Sequence, residues 1–225
     1  VFESPKISGN LEIMIVMTNK TPPPRPKLLG EYLPCSLGSI RIAIQKKRNS
    51  KIKNQKVKLI GEILLSEKMI SEDQLNNALR RQRAERLAHC PVFASLTSAE
   101  LSGIGNHFSE LIIDTDQQFI FEGEYDPTLY VLVNGKLEVF THDKHNNEIH
   151  VAYVDPVQPI GEMGYFQDGI RSASIRSITP CILLKVAYKR LTHYFEHVPH
   201  VAFAFMDVIK RRQEETNRII QKAGN

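Results

Sequence analysis

One stretch of this sequence gathers residue types that could do chemistry. Pro159-Ile160-Gly161-Glu162-Met163-Gly164-Tyr165-Phe166-Gln167-Asp168-Gly169-Ile170-Arg171-Ser172-Ala173-Ser174 joins a glycine that permits close backbone approach, an acid, a single helical turn, and an arginine followed by two small residues. Backbone N–H groups at the start of such a turn point at an anion, and a guanidinium neutralises that anion with forked hydrogen bonds. Glu162 cannot face the same anion favourably, so its expected role is to accept a hydrogen bond from a neutral hydroxyl. An anion beside a hydroxyl describes a ribose phosphate. An ion pair between Glu162 and Arg171 would also close a loop. Exposed pairs contribute only about 0–1 kcal/mol, however, a weak reason to bracket a turn with glycines.

The rest of the chain offers little competing chemistry. No Ser-His-Asp order, Walker loop or paired-carboxylate motif points to catalysis, so no catalytic residue is assigned. His193 and His197 share a helical face at i, i+4, yet no acidic partner stands near them and Pro199 breaks the helix before His200, so surface histidines are expected and no metal site. Cys35, Cys90 and Cys181 are odd in number and widely spaced, which suits reduced structural thiols and a cytoplasmic setting better than a disulfide framework. No signal peptide opens the chain, and no apolar run is long enough to span a bilayer.

The elements that must position the segment follow from periodicity. Thr97-Ser98-Ala99-Glu100 is a capping box opening a helix over about 99–110. Beyond it the period switches to two: 119–121, 129–133, 137–140, 149–154, 173–178 and 181–186 are short β-rich runs, separated by turn pairs such as Glu122-Gly123 and Asn134-Gly135. Such spacing suggests a barrel, roll or sandwich. Helix returns at 188–197 and, past Pro199, at about 200–222. There Val201, Phe205, Val208, Arg212, Glu215 and Ile219 form one stripe, with Ala202, Met206, Ile209, Gln213, Thr216 and Ile220 beside it, one to pack on the strands and one on a partner helix.

Gly161-Glu162-Met163-Gly164 with Arg171-Ser172-Ala173-Ser174 resembles the phosphate-binding cassette of cyclic nucleotide-binding domains, of the catabolite activator and protein kinase A regulatory subunit type. The resemblance extends over about 87–220, with Gly123, Tyr130 and Asn134-Gly135-Lys136 at corresponding places. It implies an α+β fold: an antiparallel, jelly-roll-like β-roll of about eight strands flanked by helices. It further implies a ligand, cAMP or cGMP, and no cofactor. By resemblance Arg171 pairs with the cyclic phosphate, Glu162 accepts from the ribose 2′-OH, and Gly161, Met163, Gly164, Ser172 and Ala173 line the cassette. Ser172 leans toward cAMP, since threonine there is associated with cGMP. Thr216 falls near where bacterial relatives contact adenine, although Glu215 departs from their Thr-Ser pair. The resemblance also implies a homodimer through the terminal helix and an effector of unknown identity. The chain stops at Asn225 with no helix-turn-helix, so no DNA-reading module is expected. Asp116-Gln117 and Tyr125 depart from the family's usual glycines, but Asp tolerates left-handed backbone.

Upstream, Ser71-Glu72-Asp73-Gln74 is a second capping box, and a helical hairpin is predicted over about 59–68 and 72–87. Leu59-Ile60-Gly61-Glu62-Ile63-Leu64, followed by Ile70, Leu75, Leu79 and Gln82, resembles half of the N-terminal domain of type II secretion and type IV pilus assembly ATPases, some of which bind cyclic di-GMP with two tandem copies. Lys27-Leu28-Leu29-Gly30-Glu31-Tyr32-Leu33 repeats the start of that motif and then degenerates. The alternative function is therefore a docking or cyclic di-GMP-responsive module whose roll no longer binds nucleotide.

Charge divides the chain at the same place. Residues 1–58 hold 12 Lys/Arg against 3 Asp/Glu and 59–225 hold 17 against 22, so the overall +4 combines a basic leader at +9 with a body at −5. The basic run from Lys46 to Lys58 has no interleaved aromatic to stack on bases, which favours a solvated linker over nucleic-acid binding. Three regions are thus expected: 1–57, a basic and largely disordered leader; 58–87, the helical hairpin; and 88–225, the nucleotide-binding domain.

Overall fold

The structure, a computed structural model, describes residues 27–52 and 59–223. The strand expected over 11–17 and the proline-rich run at 21–26 lie outside the described residues. Among the described residues eight strands form two four-stranded sheets: β1 (Ser109–Ile113), β2 (Gln118–Ile120), β3 (Thr128–Asn134), β4 (Leu137–His142), β5 (Glu148–Val154), β6 (Gln158–Ile160), β7 (Ser174–Ser177) and β8 (Cys181–Ala187). The orders are β1-β8-β3-β6 and β2-β7-β4-β5, every pairing antiparallel. The α-helices among the described residues are α1 (Leu37–Ile52), α2 (Ile60–Ser66), α3 (Glu72–Ala88), α4 (Ser98–Gly105), α5 (Thr192–His197) and α6 (Pro199–Ala223). The fold is the α+β roll flanked by helices that the sequence implied.

β3 shows why these apolar runs are continuous. Leu129, Val131 and Val133 face a core shared with Phe93, Phe108, Phe195, Val201 and Phe205, while Tyr130 and Leu132 face the inter-sheet core with Ile120, Leu137, Ile160 and Ile175. A strand covered on both faces needs no polar alternation. Neither turn pair named above closes a hairpin: β2 and β4 belong to one sheet and β3 to the other, so Glu122-Gly123 and Asn134-Gly135 carry the chain between sheets. Gly135 has φ +100° and meets Pro180 and Cys181 so closely that a side chain would not fit. β4 and β5 do form a hairpin, closed by the Asp143 carboxylate, which accepts the N–H groups of His145 (2.7 Å) and Asn147 (2.8 Å).

Three expectations are corrected. The helix predicted to reach residue 110 ends at Gly105, because Leu111-Ile112-Ile113 instead pairs with Leu183-Ile182-Cys181 of β8 as β1. A short run, Gln158–Ile160, becomes β6 through pairing with β3 rather than through any pattern of its own. The third concerns the leader, which is not disordered throughout: residues 29–31 form a 3₁₀ turn and 37–52 form α1. Leu33 and Ala43 pack there with Ile63, Leu64, Ile70 and Ala78 in a separate small core. Burial against α2 and α3 supplies what helix propensity alone does not. The repeat seen in the sequence is also a repeat of structure, for Leu28 N–H donates to the Glu31 carboxylate (2.8 Å) as Leu59 N–H does to that of Glu62 (2.9 Å). Both capping boxes, at Ser71/Gln74 and Thr97/Glu100, are formed.

Candidate functional site

Between β6 and β7 the chain makes one 3₁₀ turn, Glu162–Phe166, on the mouth side of the roll. Gly161 starts it at φ +80°, a left-handed conformation that glycine adopts without penalty; a Cβ there would overlap the Arg171 guanidinium. Gly164 is similarly fixed, since its added Cβ would lie 2.8 Å from the Tyr188 hydroxyl. Turn, roll and α6 enclose a cavity of about 520 Å³. Gly161, Glu162, Met163, Gly164, Arg171, Ser172, Ala173 and Thr216 all line it, so the structure brings every sequence-predicted site residue to one place.

Glu162 and Arg171 are nearly inaccessible, at 2% and 3% exposure. They do not pair with each other. Arg171 Nη2 donates to Asp126 Oδ2 (2.7 Å) and to the Thr128 carbonyl (2.6 Å), while Nη1 donates to the Gly161 carbonyl and the Tyr188 hydroxyl (both 3.1 Å). Its Nε–H is buried without an acceptor. The cation also lies 5.6 Å from the Tyr130 ring centroid. Burial by itself would raise the Asp126 pKa, but hydrogen bonds from Thr128 and Arg171 and the Arg171 charge outweigh it and hold that carboxyl below its ordinary range. Tyr188 is pushed up to about 12, chiefly by burial.

Glu162 finds its partner on α6. Both of its carboxylate oxygens accept from Arg212 Nη1, at 3.1 Å each. Thr216 follows one turn later on the same wall, with Arg211, Glu215 and Ile219. The sequence sets Arg212 on one of two adjacent stripes, without showing which of them turns inward, and gives it no role. The available signal was a cation within the run Val201, Phe205, Val208, Arg212, the first three of which are buried in the core, because a charge so placed needs a carboxylate opposite. Asp126 and Tyr188 carried no such signal; only the antiparallel return of β8 beside β3 brings them together. Ser172 is exposed, its hydroxyl 3.7 Å from Met163 Sδ.

The turn is also joined to the helices by aromatic packing. Tyr165 makes edge-to-face contacts with Tyr188, Phe195 and Phe205, and Phe195 stacks on Phe205 at 3.9 Å between centroids. Among the described residues there is no group of three or more His, Cys, Asp or Glu able to hold a metal ion, and no helix is long and apolar enough to cross a membrane.

The arrangement sets a buried cation and a buried carboxylate on the wall of one half-open cavity, and the chain resembles known proteins over the same region. Residues 113–197 match the cyclic nucleotide-binding domain family. The chain is similar to the cAMP-activated global transcriptional regulator CRP of Salmonella typhimurium, 31% identical over 107 residues, covering 47% of this chain and 50% of that one. It is also similar to the cyclic AMP receptor protein of Thermus thermophilus, 24% identical over 127 residues, covering 56% and 59%. The chain thus spans little more than half the length of these curated relatives. Among solved structures, the catabolite activator protein of Thermus thermophilus shares the fold at TM-score 0.53 and 22% identity, over 60% of this chain and 63% of that one. The regulatory subunit of a cAMP-independent protein kinase A from Trypanosoma brucei does so at 0.56 and 17%, over 72% and 56%. The stretch that matches the cyclic nucleotide-binding domain family, residues 113–197, takes in most of the roll together with its glycine-bracketed turn.

Proposed function

We propose that this protein is a non-catalytic cytoplasmic receptor for a cyclic purine nucleotide, cAMP in preference to cGMP, which converts occupancy into a repacking of α6. The observation that carries the reading is a pair of buried, unlike charges at the two ends of one short segment: Glu162, which opens the 3₁₀ turn and is held among the described residues by Arg212 of α6, and Arg171, which follows the turn and keeps an unused Nε–H. The cyclic phosphate supplies the acceptor that Arg171 lacks, while the ribose 2′-OH competes with Arg212 for Glu162. Gly161, Met163, Gly164, Ser172 and Ala173 shape the cassette, and Thr216 faces the base. A ligand shifts α6 only as far as it prefers one arrangement of the Glu162–Arg212 link over the other. Tyr165 transmits the same shift through Phe195 and Phe205. The outer side of α6, where Phe203 and Met206 are exposed, is the surface for a homodimer contact. No step of this scheme makes or breaks a covalent bond.

Thermal unfolding of the purified chain with cAMP, cGMP or cyclic di-GMP tests it. Ligand at about 100 times its dissociation constant adds roughly 2.7 kcal/mol of stability, so cAMP is expected to raise the midpoint most, cGMP less, and cyclic di-GMP not at all. No stabilisation by either mononucleotide overturns the reading. A shift by cyclic di-GMP alone would support the second reading, a docking or dinucleotide-responsive module, which the duplicated Leu-x-Gly-Glu caps at Glu31 and Glu62 favour.

A further inference from the structure

We infer that α1 of one copy of this protein docks on an acidic, aromatic patch beside the nucleotide turn of a second copy. Two surfaces that the proposed function does not use complement each other. On α1, the face turned away from Ala43 carries Leu37, Arg41, Ile44, Arg48 and Ile52 at helical spacing, with Leu37 74% and Ile52 82% exposed. This helix contains four arginine or lysine residues up to Arg48 and no acid. Neither Arg41 nor Arg48 has an ion-pair partner among the described residues, whereas Lys46 meets Glu67. Apolar groups and unpaired cations therefore alternate along one line.

The second surface lies on the roll. Residues 121–126 and 168–171 run side by side: Gly123 N–H donates to Arg171 O (2.8 Å), Arg171 N–H to Glu124 O (3.0 Å), and Asp126 N–H to Gly169 O (2.8 Å). Tyr125 bridges Ile170 across this pair. Their outward side chains are Phe121, Tyr125 (69% exposed) and Ile170, framed by the exposed carboxylates Glu124 and Asp168. Neither carboxylate has a hydrogen-bond or ion-pair partner for its side chain among the described residues. A helix from Leu37 to Ile52 is about 22 Å long, comparable to the roughly 17–20 Å of a five- or six-residue extended segment.

Within one chain α1 packs chiefly on α2, so its outer face is left over. Exchange between two copies, α1 of each on the patch of the other, gives an isologous contact in which each cation–acid pairing occurs twice. Uncompensated charge of opposite sign on the two surfaces selects this occupant over a neutral helix. Lipid is disfavoured because the apolar and basic residues share one line rather than opposite faces. The inference does not rest on nucleotide binding.

The test uses the full chain carrying Phe203→Glu, so that any contact through the outer face of α6 does not contribute. Sedimentation velocity is compared for that chain, for the same chain with Arg41→Glu and Arg48→Glu, for one with Glu124→Lys and Asp168→Lys, and for an equimolar mixture of the two reversals. Each reversal alone is expected to weaken self-association about tenfold or more, and the mixture to restore it, because each acidic helix then meets a basic patch and each basic helix an acidic one. Tyr125→Ser, which leaves charge untouched, is expected to weaken it as well. Circular-dichroism melts of the reversals identify folded chains. A parent that sediments as a monomer, or folded reversals that change nothing or are not rescued by mixing, overturn the inference; recruitment of the parent to anionic vesicles with no self-association would assign α1 to lipid instead.

Discussion

Two cavities of similar size occur in this molecule, and their polar linings differ in kind. The chamber under α6 holds two charged side chains at 2–3% exposure, one with a donor that nothing accepts. The second, of about 510 Å³, sits where residues 27–32 meet α3 and α4, and its paired charges are exposed: Lys27 pairs with Glu85 (2.9 Å), and the Tyr32 hydroxyl donates to Glu85 (2.8 Å), while the neighbouring Arg86 also keeps a buried Nε–H without an acceptor. Buried polar atoms without partners are costly in a folded protein unless something else supplies the partner. The first cavity is therefore lined by charges withdrawn from water, and the second by charges that water still reaches. The difference teaches that cavity volume alone says little about a cavity; how deeply its charges are buried, and which element holds each of them, says more.

The largest effect expected to break this contrast is at Arg171. Arg171→Ala removes the phosphate partner, and with roughly 1.5–3 kcal/mol at stake for a charged hydrogen bond, cAMP affinity should fall about tenfold to a few hundredfold by isothermal titration; unchanged affinity would remove the basis for the site. Glu85→Ala, the corresponding deletion in the second cavity, should leave nucleotide affinity unaltered.

Gly161→Val comes next. It forces a branched side chain into left-handed backbone against the guanidinium, costing on the order of 2 kcal/mol or more, so the melting midpoint should drop by several degrees before any ligand is added. A variant as stable as the parent would show that the turn is not held as described.

Arg212→Met sharpens the comparison from the helix side. Glu162 is left buried and unpartnered, and a loss of about 1–3 kcal/mol in denaturant unfolding is expected. Saturating cAMP should recover part of it by giving Glu162 a hydroxyl; if nucleotide stabilises parent and variant equally, the link does not compete with ribose.

The smallest effect is pH-dependent. The folded-state pKa of Asp126 lies below its unfolded value of about 3.9, so its contribution is complete above that value and is lost as pH falls through the depressed folded pKa. Asp126→Asn should consequently show a shallower loss of stability than the parent as pH is lowered from about 5 toward 3. Superimposable acid titrations would mean the Arg171–Asp126 pair contributes nothing to stability.

Much of the candidate site was legible because it is local. Gly161 through Ser172 is continuous in sequence, and glycine, acid and arginine at those spacings constrain backbone and charge before any fold is known. Capping at Ser71 and Thr97 is local in the same sense, since a hydroxyl and a side chain three residues on satisfy N–H groups of one turn. What stayed hidden was everything that depends on which elements meet. Leu111-Ile112-Ile113 follows a helix and only becomes strand by pairing with β8; α1 is basic and low in apolar periodicity, and burial against α2 and α3 stabilises it.

The sequence alone therefore determined the glycine-bracketed turn, the signs of the two charges beside it and the helix that could cover it, because those follow from residue types within a few turns of chain. Tertiary structure decided the partners. Asp126 lies 45 residues from Arg171 and Arg212 lies 50 from Glu162, and each pair forms only when sheets and helices close on one another. Electrostatic pairing in a buried site is set by distance in space, and sequence spacing does not fix it beyond a turn or two of helix.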